Sequence, residues 1–244
     1  MRALEAVPSV RALLLSGEGR CFCGGIDLSF LRARFLSLSG DAAACPGELR
    51  DGFRRSIQRM QAALSALEAC RWPAIAAIHG ACVGAGVDLA TACDLRLATS
   101  DASFVVKEVD LAITADLGTL QRLPALIGHG RAAELALTAA PLAADAAAAA
   151  GLVSRVYPTR EAMMAGALAL GRGLAAKPAL ALAGTKRMLL RARDRPDVAD
   201  GLEHVAAYNS AILLSRDLEN LVAAASAPRA RPGRGGGGPP SSKL

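Results

Sequence analysis

Three features of the sequence predict an α/β core followed by a helical region. Strand-like and helix-like segments alternate through the first part of the chain, helical periodicity dominates the later part, and 52% of the 244 residues are apolar. A chain this long and apolar buries a sizeable core, which excludes global disorder. We predict a core over residues 1–158, a helical C-terminal region over 159–226 and a flexible tail over 227–244.

The first half of the chain contains two predicted strands and one long helix. The run VRALLL at 10–15 is short and apolar and ends at a Gly-containing turn, as expected of a buried strand; a signal peptide is the alternative, but no small-residue cleavage site follows. Residues 49–70 place apolar side chains three and four positions apart, which predicts an amphipathic helix that Trp72-Pro73 ends. The run AIAAIH predicts a buried strand over 74–79.

The second half contains shorter elements and then mostly helix. A helix is predicted after the glycines at 84 and 86 and is expected to end near Asp94, and LRLAT and SFVVKEV are interpreted as the next two strands. Helical patterns follow at 119–127, 131–138 and 145–150, and GLVSRVY predicts another strand. Helices are predicted to fill most of 160–226, with a break at Lys177-Pro178.

The composition argues against several classes of partner and cofactor. Aromatic residues make up 3% of the chain, too few for a stacking surface that binds nucleic acid. The six cysteines form no CxxC pair and have no histidine at metal-ligand spacing, so we expect buried free thiols. No metal or redox cofactor is implied. The most apolar stretch, 74–92, is interrupted by His79, Asp88 and three glycines, so no membrane span is expected. The net charge of +6 suits an anionic small ligand, and the alternative is that this mild excess has no functional meaning.

Two glycine-bearing turns, each placed before a helical pattern, form the first candidate site. They are Cys23-Gly24-Gly25-Ile26-Asp27 and Gly84-Ala85-Gly86, and neither matches the phosphate-binding patterns GxGxxG or GxxxxGK[ST]. Such turns direct backbone N–H groups at a ligand, and two that converge would stabilise an oxyanion. The alternative is that both are tight turns whose geometry requires glycine.

Three carboxylates are candidates for acid–base chemistry. Asp88 lies in the helix predicted after the second glycine turn, Glu108 follows the strand-like SFVVK, and Asp116 stands in the apolar segment ITADLG without an adjacent Lys or Arg. Apolar surroundings raise the pKa of a carboxyl group, and two such groups can move a proton from one carbon to another. For each residue, the alternative is a helix cap or a surface salt bridge.

Several segments in this order resemble the crotonase, or enoyl-CoA hydratase/isomerase, superfamily. They are CFCGGIDL, IAAIHGACVGAGVDLATACDLRLAT and VVKEVDLAITADLGTLQRLPALIG, and LAADAAAAAGLVSRVYP extends the match. The resemblance covers roughly residues 10 to 220. Its closest branch is the Δ3,5-Δ2,4-dienoyl-CoA isomerases, which are similar at KEVD and at ADLGTLQRLP.

The resemblance implies an active site. Hydratases of the superfamily have two glutamates twenty positions apart, whereas the dienoyl isomerases have Asp, then Glu, then a further Asp eight positions on; here these places hold Asp88, Glu108 and Asp116. The resemblance places the N–H groups of Ile26 and Ala85 at the thioester oxygen of the substrate. It also implies substrate contacts along the first turn, at Cys23, Gly24, Gly25, Asp27 and Leu28.

The implied activity is the isomerisation of 3,5-dienoyl-CoA to 2,4-dienoyl-CoA in fatty-acid β-oxidation, with CoA as part of the substrate. The implied fold is a ββα spiral core with C-terminal helices that assemble a trimer or a hexamer. We expect the N-terminal β-hairpin of the superfamily to be missing, which would expose a sheet edge. The alternatives are an enoyl-CoA hydratase or Δ3-Δ2-enoyl-CoA isomerase of the same fold, and a non-catalytic crotonase-fold subunit.

The tail carries a candidate targeting signal. Ser242, Lys243 and Leu244 match the tripeptide that a peroxisomal import receptor binds. The Gly/Pro-rich stretch before them predicts a flexible linker that keeps the tripeptide accessible. We therefore expect a peroxisomal matrix protein, with the mitochondrion as the alternative.

Overall fold

The structure, a computed structural model, describes residues 1–27, 29, 32–33 and 45–226. Three of the predicted features lie outside the described residues: the substrate contact at Leu28, the flexible tail over 227–244, and the targeting tripeptide Ser242, Lys243 and Leu244.

The strands of the described chain form two sheets. They are β1 (Leu13–Ser16), β2 (Ala74–Ile78), β3 (Ala81–Val83), β4 (Leu95–Thr99), β5 (Ser103–Val105), β6 (Leu142–Ala143) and β7 (Arg155–Tyr157). The larger sheet is parallel, in the order β1-β2-β4-β7, and in the smaller one β5 pairs with β3 in parallel and with β6 antiparallel. Every residue of β2 is buried, which explains its unbroken apolar sequence, because a parallel strand covered on both faces has no polar side.

Helices account for most of the remaining described residues. They are α1 (Arg2–Glu5), α2 (Pro46–Glu68), α3 (Ala85–Ala92), α4 (Thr119–Ile127), α5 (His129–Thr138), α6 (Ala144–Ala149), α7 (Arg160–Ala175), α8 (Ala179–Asp194), α9 (Val198–Ile212) and α10 (Arg216–Ser226), with a 3-10 helix at Glu108–Leu111. None of the helices among the described residues is long and apolar enough to cross a bilayer.

The first helix of the C-terminal region packs on the larger sheet. Met163 and Ala167 of α7 are fully buried in one cluster with Ile75, Ala77 and Leu97. The next helix, α8, is anchored to the core by a buried lysine: Nζ of Lys186 lies 2.7 Å from the carboxylate of Asp94. By packing, α7 therefore joins the core rather than the helices that follow it.

The α/β class is confirmed, and so are the strand LRLAT and the helices predicted at 119–127 and near 131–138. The strand predicted at SFVVKEV is too long: it ends at Val105, and the 3-10 helix at Glu108–Leu111 replaces its last residues. The short strand β3 was not predicted, because its three residues lie between Gly80 and Gly84, both in left-handed conformations that break the pattern.

Candidate active site

The three predicted carboxylates lie close enough together to influence one another's protonation. Asp88 is on α3, Glu108 begins the 3-10 helix, and Asp116 lies between that helix and α4. Burial raises the pKa of Glu108 above its ordinary value, and the negative charges of Asp88 and Asp116 raise it further. These residues therefore form one electrostatic cluster, although 28 positions separate the first from the last.

Asp88 is the most deeply buried of the three and is fixed by Thr119. Its side chain is 1% exposed, and Oδ1 accepts hydrogen bonds of 2.7 Å from both the backbone N–H and the hydroxyl of Thr119. Burial raises the pKa of Asp88, while the hydrogen bonds from Thr119 and the positive charge of Arg122 oppose this rise. Thr119, the first residue of α4, therefore sets the orientation of the buried Asp88 carboxylate.

Glu108 offers an oxygen that no group of the described chain occupies. Its side chain is buried, and Oε2 has no hydrogen-bond partner among the described residues. Its other oxygen faces the second glycine turn, where a Cβ atom added at Gly84 would lie 3.1 Å from Oε1. Buried polar atoms are nearly always paired, so an unpaired carboxylate oxygen marks a position where a substrate or water can bind.

The two glycine turns pack side by side. The backbone of Cys23 pairs with β3 through hydrogen bonds from Cys23 N–H to Ala81 O (3.1 Å) and from Val83 N–H to Cys23 O (2.9 Å). A Cβ atom at Gly86 would lie 2.9 Å from Cβ of Cys23, and one at Gly25 would lie 3.2 Å from the carbonyl oxygen of Val83. Glycine is therefore needed at both places because the backbones approach closely.

Both predicted oxyanion donors are available. Ala85 is the first residue of α3, and its φ is not positive, so its N–H has the orientation of an ordinary first helical turn. Ile26 is 37% exposed on the adjacent turn. Within the described residues, neither N–H group donates a hydrogen bond, which leaves both for a ligand. Their joint action on one oxygen stays a prediction.

Among the other residues of the first turn, Cys23 and Asp27 contact neighbouring groups, whereas Gly24 borders open space. Cys23 contacts the second turn, whereas a Cβ atom added at Gly24 would meet open space. The carboxylate of Asp27 accepts hydrogen bonds from the backbone N–H and the hydroxyl of Ser29, at 2.7 and 2.6 Å. Asp27 therefore stabilises the local turn.

The segment that carries Asp116 is held by residues that sequence reasoning missed. Nε2 of Gln61 donates to the carbonyl oxygen of Asp116 at 2.6 Å, and Nη1 of Arg122 donates to the carbonyl oxygen of Leu117 at 3.2 Å. Arg122 in turn forms an ion pair with Glu68 on α2. Gln61 is 55 positions from Asp116, so no local pattern could reveal this contact.

The site has the composition of a proton-transfer centre. Within the part of the chain that the structure describes, no group of three or more His, Cys, Asp or Glu side chains could hold a metal ion. Two buried carboxyl groups have pKa values raised above the ordinary range, which favours holding and releasing protons, and the partly exposed Asp116 lies beside them. The adjacent N–H groups can stabilise a developing negative charge.

A model of the enoyl-CoA hydratase/isomerase family matches residues 1–210. The chain belongs to this family. Its relatives include a peroxisomal Δ(3,5)-Δ(2,4)-dienoyl-CoA isomerase of Arabidopsis thaliana, which is 47% identical over 92% of this chain and 80% of the relative. The mitochondrial enzyme of the same name from Homo sapiens is 45% identical over 88% of this chain and 64% of the relative.

Solved structures of the enoyl-CoA hydratase/isomerase family share the fold. The chain is similar to a putative enoyl-CoA hydratase from Streptomyces coelicolor A3(2), with a TM-score of 0.80 and 31% identity over 91% of this chain and 77% of the other. The crotonase-type fold expected from the sequence is therefore confirmed.

Proposed function

We propose that the chain is an isomerase that converts 3,5-dienoyl-CoA into 2,4-dienoyl-CoA in fatty-acid β-oxidation. The observation that carries the proposal is the cluster of Asp88, Glu108 and Asp116, in which Glu108 keeps a buried oxygen without a partner in the described chain. The relatives from Arabidopsis thaliana and Homo sapiens, which carry the name of this activity, support it.

The reaction requires two proton transfers at opposite ends of a five-carbon stretch. A hydrogen at C2 is acidic because removing it spreads the charge through the diene onto the thioester oxygen. In our proposal Asp116 takes this proton, and the N–H groups of Ile26 and Ala85 stabilise the oxygen. Glu108 then delivers a proton to C6, which moves the double bonds into conjugation with the thioester. No electrons are exchanged, so the chemistry needs no redox cofactor.

The role proposed for Asp88 separates isomerisation from hydration. A hydratase must hold a water molecule between two carboxylates, whereas Oδ1 of Asp88 already accepts two hydrogen bonds from Thr119. We infer that Asp88 orients the site and raises the pKa of Glu108 rather than activating a water molecule. Asp88→Glu, which restores the longer side chain of the hydratases, is expected to raise hydration of a 2-enoyl-CoA, and no gain would count against this role.

A spectrophotometric assay tests the proposed activity. Conjugation of the diene with the thioester changes the ultraviolet absorbance, so turnover of a 3,5-dienoyl-CoA is observed directly. The purified chain is expected to convert the diene, and Asp116→Asn is expected to lose about 10²- to 10⁴-fold in kcat, the usual contribution of a positioned base. A folded chain that binds acyl-CoA without converting it would support the non-catalytic alternative.

The exposed apolar side chains of the C-terminal helices support assembly into a homotrimer or homohexamer. Leu189 of α8 is 68% exposed, Leu202 of α9 is 66% exposed, and Leu214, just beyond α9, is 90% exposed. A groove of about 650 Å³ runs between α8 and α9. Such an apolar surface is typical of an interface. Size-exclusion chromatography with light scattering is expected to give the mass of a trimer or hexamer, and a monomer would contradict the proposal.

We also propose that the chain is directed to the peroxisomal matrix by Ser242, Lys243 and Leu244 through an import receptor. The peroxisomal relative from Arabidopsis thaliana supports this compartment, and the mitochondrial relatives define the alternative. A fluorescent reporter that ends in residues 227–244 is expected to enter peroxisomes, whereas the same reporter without the final tripeptide is expected to stay outside. Equal distributions would contradict the proposal.

A further inference from the structure

The segment that carries Asp116 has little backbone structure of its own. It begins at Ala112, whose left-handed φ of 58° ends the 3-10 helix, and continues to Gly118 before α4. Residues 114–117 form no backbone–backbone hydrogen bond with any other described residue. A carboxylate on such a segment is not placed by secondary structure, so its position depends on contacts with other parts of the molecule.

One face of α2 supplies those contacts. We name the residues Gln61, Ser65 and Glu68 the anchoring face, because they recur four and three positions apart and so lie on one side of the helix. Gln61 donates to the carbonyl oxygen of Asp116, while Ser65 and Glu68 bind the guanidinium of Arg122 at 3.3 Å and at 3.1–3.2 Å.

The two contacts differ in what they can fix. Arg122, which the anchoring face binds, lies in α4 six positions after Asp116, and its Nη1 reaches the segment at the carbonyl oxygen of Leu117, one residue beyond Asp116. The hydrogen bond from Gln61 reaches the peptide group of Asp116 itself, and the side chain of Asp116 makes no hydrogen bond or ion pair with another described residue. The place from which the Asp116 carboxylate extends is thus set by its backbone, which Gln61 binds directly.

We propose that Gln61 is a positioning residue, which holds the peptide group of Asp116 so that its carboxylate meets the C2 hydrogen of the substrate. The inference rests on the proposed isomerase function. It predicts that Gln61 acts on the chemical step only through Asp116. A misplacement of about 1 Å costs a catalytic group on the order of 100-fold in rate.

The main test is Gln61→Met, which keeps the side-chain length and removes the hydrogen-bond donor. We expect kcat with a 3,5-dienoyl-CoA to fall about 10- to 100-fold while KM stays within about twofold. In the Asp116→Asn background, the same substitution is expected to cause no further loss, because the base that it positions is already absent. An equal loss in both backgrounds, or no loss in either, would overturn the proposal.

A matched control is available on the same helix. Gln58 is exposed, lies three positions before Gln61, and its side chain forms no hydrogen bond with another described residue. Gln58→Met is expected to keep the kcat of the unmodified chain. If Gln58→Met lowers kcat as much as Gln61→Met does, the effect comes from α2 in general and the proposal is wrong.

A second measurement does not depend on activity. Amide hydrogen exchange, followed by mass spectrometry of peptides, is expected to become faster in Gln61→Met for peptides that contain the hydrogen-bonded amides bordering the segment, those of Ala112, Ile113 and Arg122, and to stay unchanged over β2. Faster exchange in Gln61→Met, together with an unmodified chain that does not convert the diene, would retain the anchoring role and refute the isomerase function. Unchanged exchange in these peptides would overturn the anchoring role itself. Gln61→Glu, with almost the same shape, is expected to match Gln61→Met once its new carboxyl group is ionised.

Discussion

Oδ1 of Asp88 accepts hydrogen bonds from both the backbone N–H and the hydroxyl of Thr119, each at 2.7 Å. This relationship joins two elements of the core, α3 and α4, at a buried carboxylate. It also explains how a charged side chain that is 1% exposed is accommodated, since hydrogen bonds to an ionised group offset part of its desolvation.

We expect Thr119→Val to destabilise the fold by about 1.5–3 kcal/mol, because one of the two hydrogen bonds to a buried carboxylate is lost. Urea denaturation measures the free energy of unfolding directly. The matched control is Thr138→Val, since the Thr138 residue is exposed and its hydroxyl donates to the carbonyl oxygen of Glu134 and accepts from the N–H of Ala140. Equal losses in the two variants would show that the buried contact between Thr119 and Asp88 adds no more to stability than the exposed hydrogen bonds of Thr138.

The core and the carboxylates could be predicted from the sequence because their signals are local. The apolar run of β2 and the spacing of Asp88, Glu108 and Asp116 can be read from the sequence directly. The family resemblance then implied that the three carboxylates belong to one active site. The partners of the carboxylates could not be predicted. Thr119 is 31 positions from Asp88, and a threonine at the start of a helix is ordinarily interpreted as a cap.

The end of β5 shows a second limit of sequence patterns. The apolar residues of SFVVKEV continue past Val105, so periodicity favours a longer strand. In the structure, Glu108 instead begins a 3-10 helix that directs its side chain towards Gly84. The conformation of residues 108–111 therefore follows from the packing of Glu108 against the second glycine turn, which the apolar pattern of the strand does not predict.

We expect Gly86→Ala to impair catalysis through the first glycine turn. Its new Cβ would lie 2.9 Å from Cβ of Cys23, closer than real Cβ atoms come, so the turn that carries Ile26 must move. Loss of one oxyanion donor costs about 10²- to 10³-fold in kcat. Steady-state kinetics test this with Gly173→Ala as the control, because a Cβ atom at Gly173 on α7 would meet open space. Equal kcat values in the two variants would contradict the oxyanion assignment.

Replacing Glu108 by glutamine is expected to stabilise the folded chain. The pKa of the buried Glu108 is raised, so the folded chain loses stability as the pH rises through that pKa. Deprotonation creates a buried negative charge, and Oε2 has no partner among the described residues. Glutamine has the same shape and stays neutral. We expect the Tm advantage of Glu108→Gln to grow from about pH 5 to about pH 8 and to reach about 2–4 °C, equivalent to about 1 kcal/mol.

Thermal melts of the two chains at both pH values provide the measurement. Asp110→Asn is a suitable control, because Asp110 lies in the same 3-10 helix but is exposed and forms an ion pair with Lys107. A Tm for Glu108→Gln that is no higher than that of the unmodified chain at alkaline pH would show that the charge of Glu108 is compensated.

The charge of Asp88 is expected to influence the pH at which kcat declines. Glu108 must carry a proton in order to deliver it to C6, so kcat should fall as the pH rises through the raised pKa of Glu108. Asp88→Asn removes one of the negative charges that raise this pKa, and the alkaline decline of kcat should therefore move to lower pH. Asp110→Asn should leave it in place. A decline that stays or moves to higher pH in Asp88→Asn would contradict this electrostatic coupling.

The central claim is that Asp116 and Glu108 transfer protons at the two ends of the diene, and isomerisation in D₂O followed by NMR tests it most directly. The unmodified chain is expected to place deuterium at C6 of the product. Glu108→Gln is expected to exchange the C2 hydrogen with solvent without forming product, while Asp116→Asn should do neither. The assignment would be contradicted, and the two roles reversed, if Glu108→Gln did not exchange the C2 hydrogen while Asp116→Asn still did.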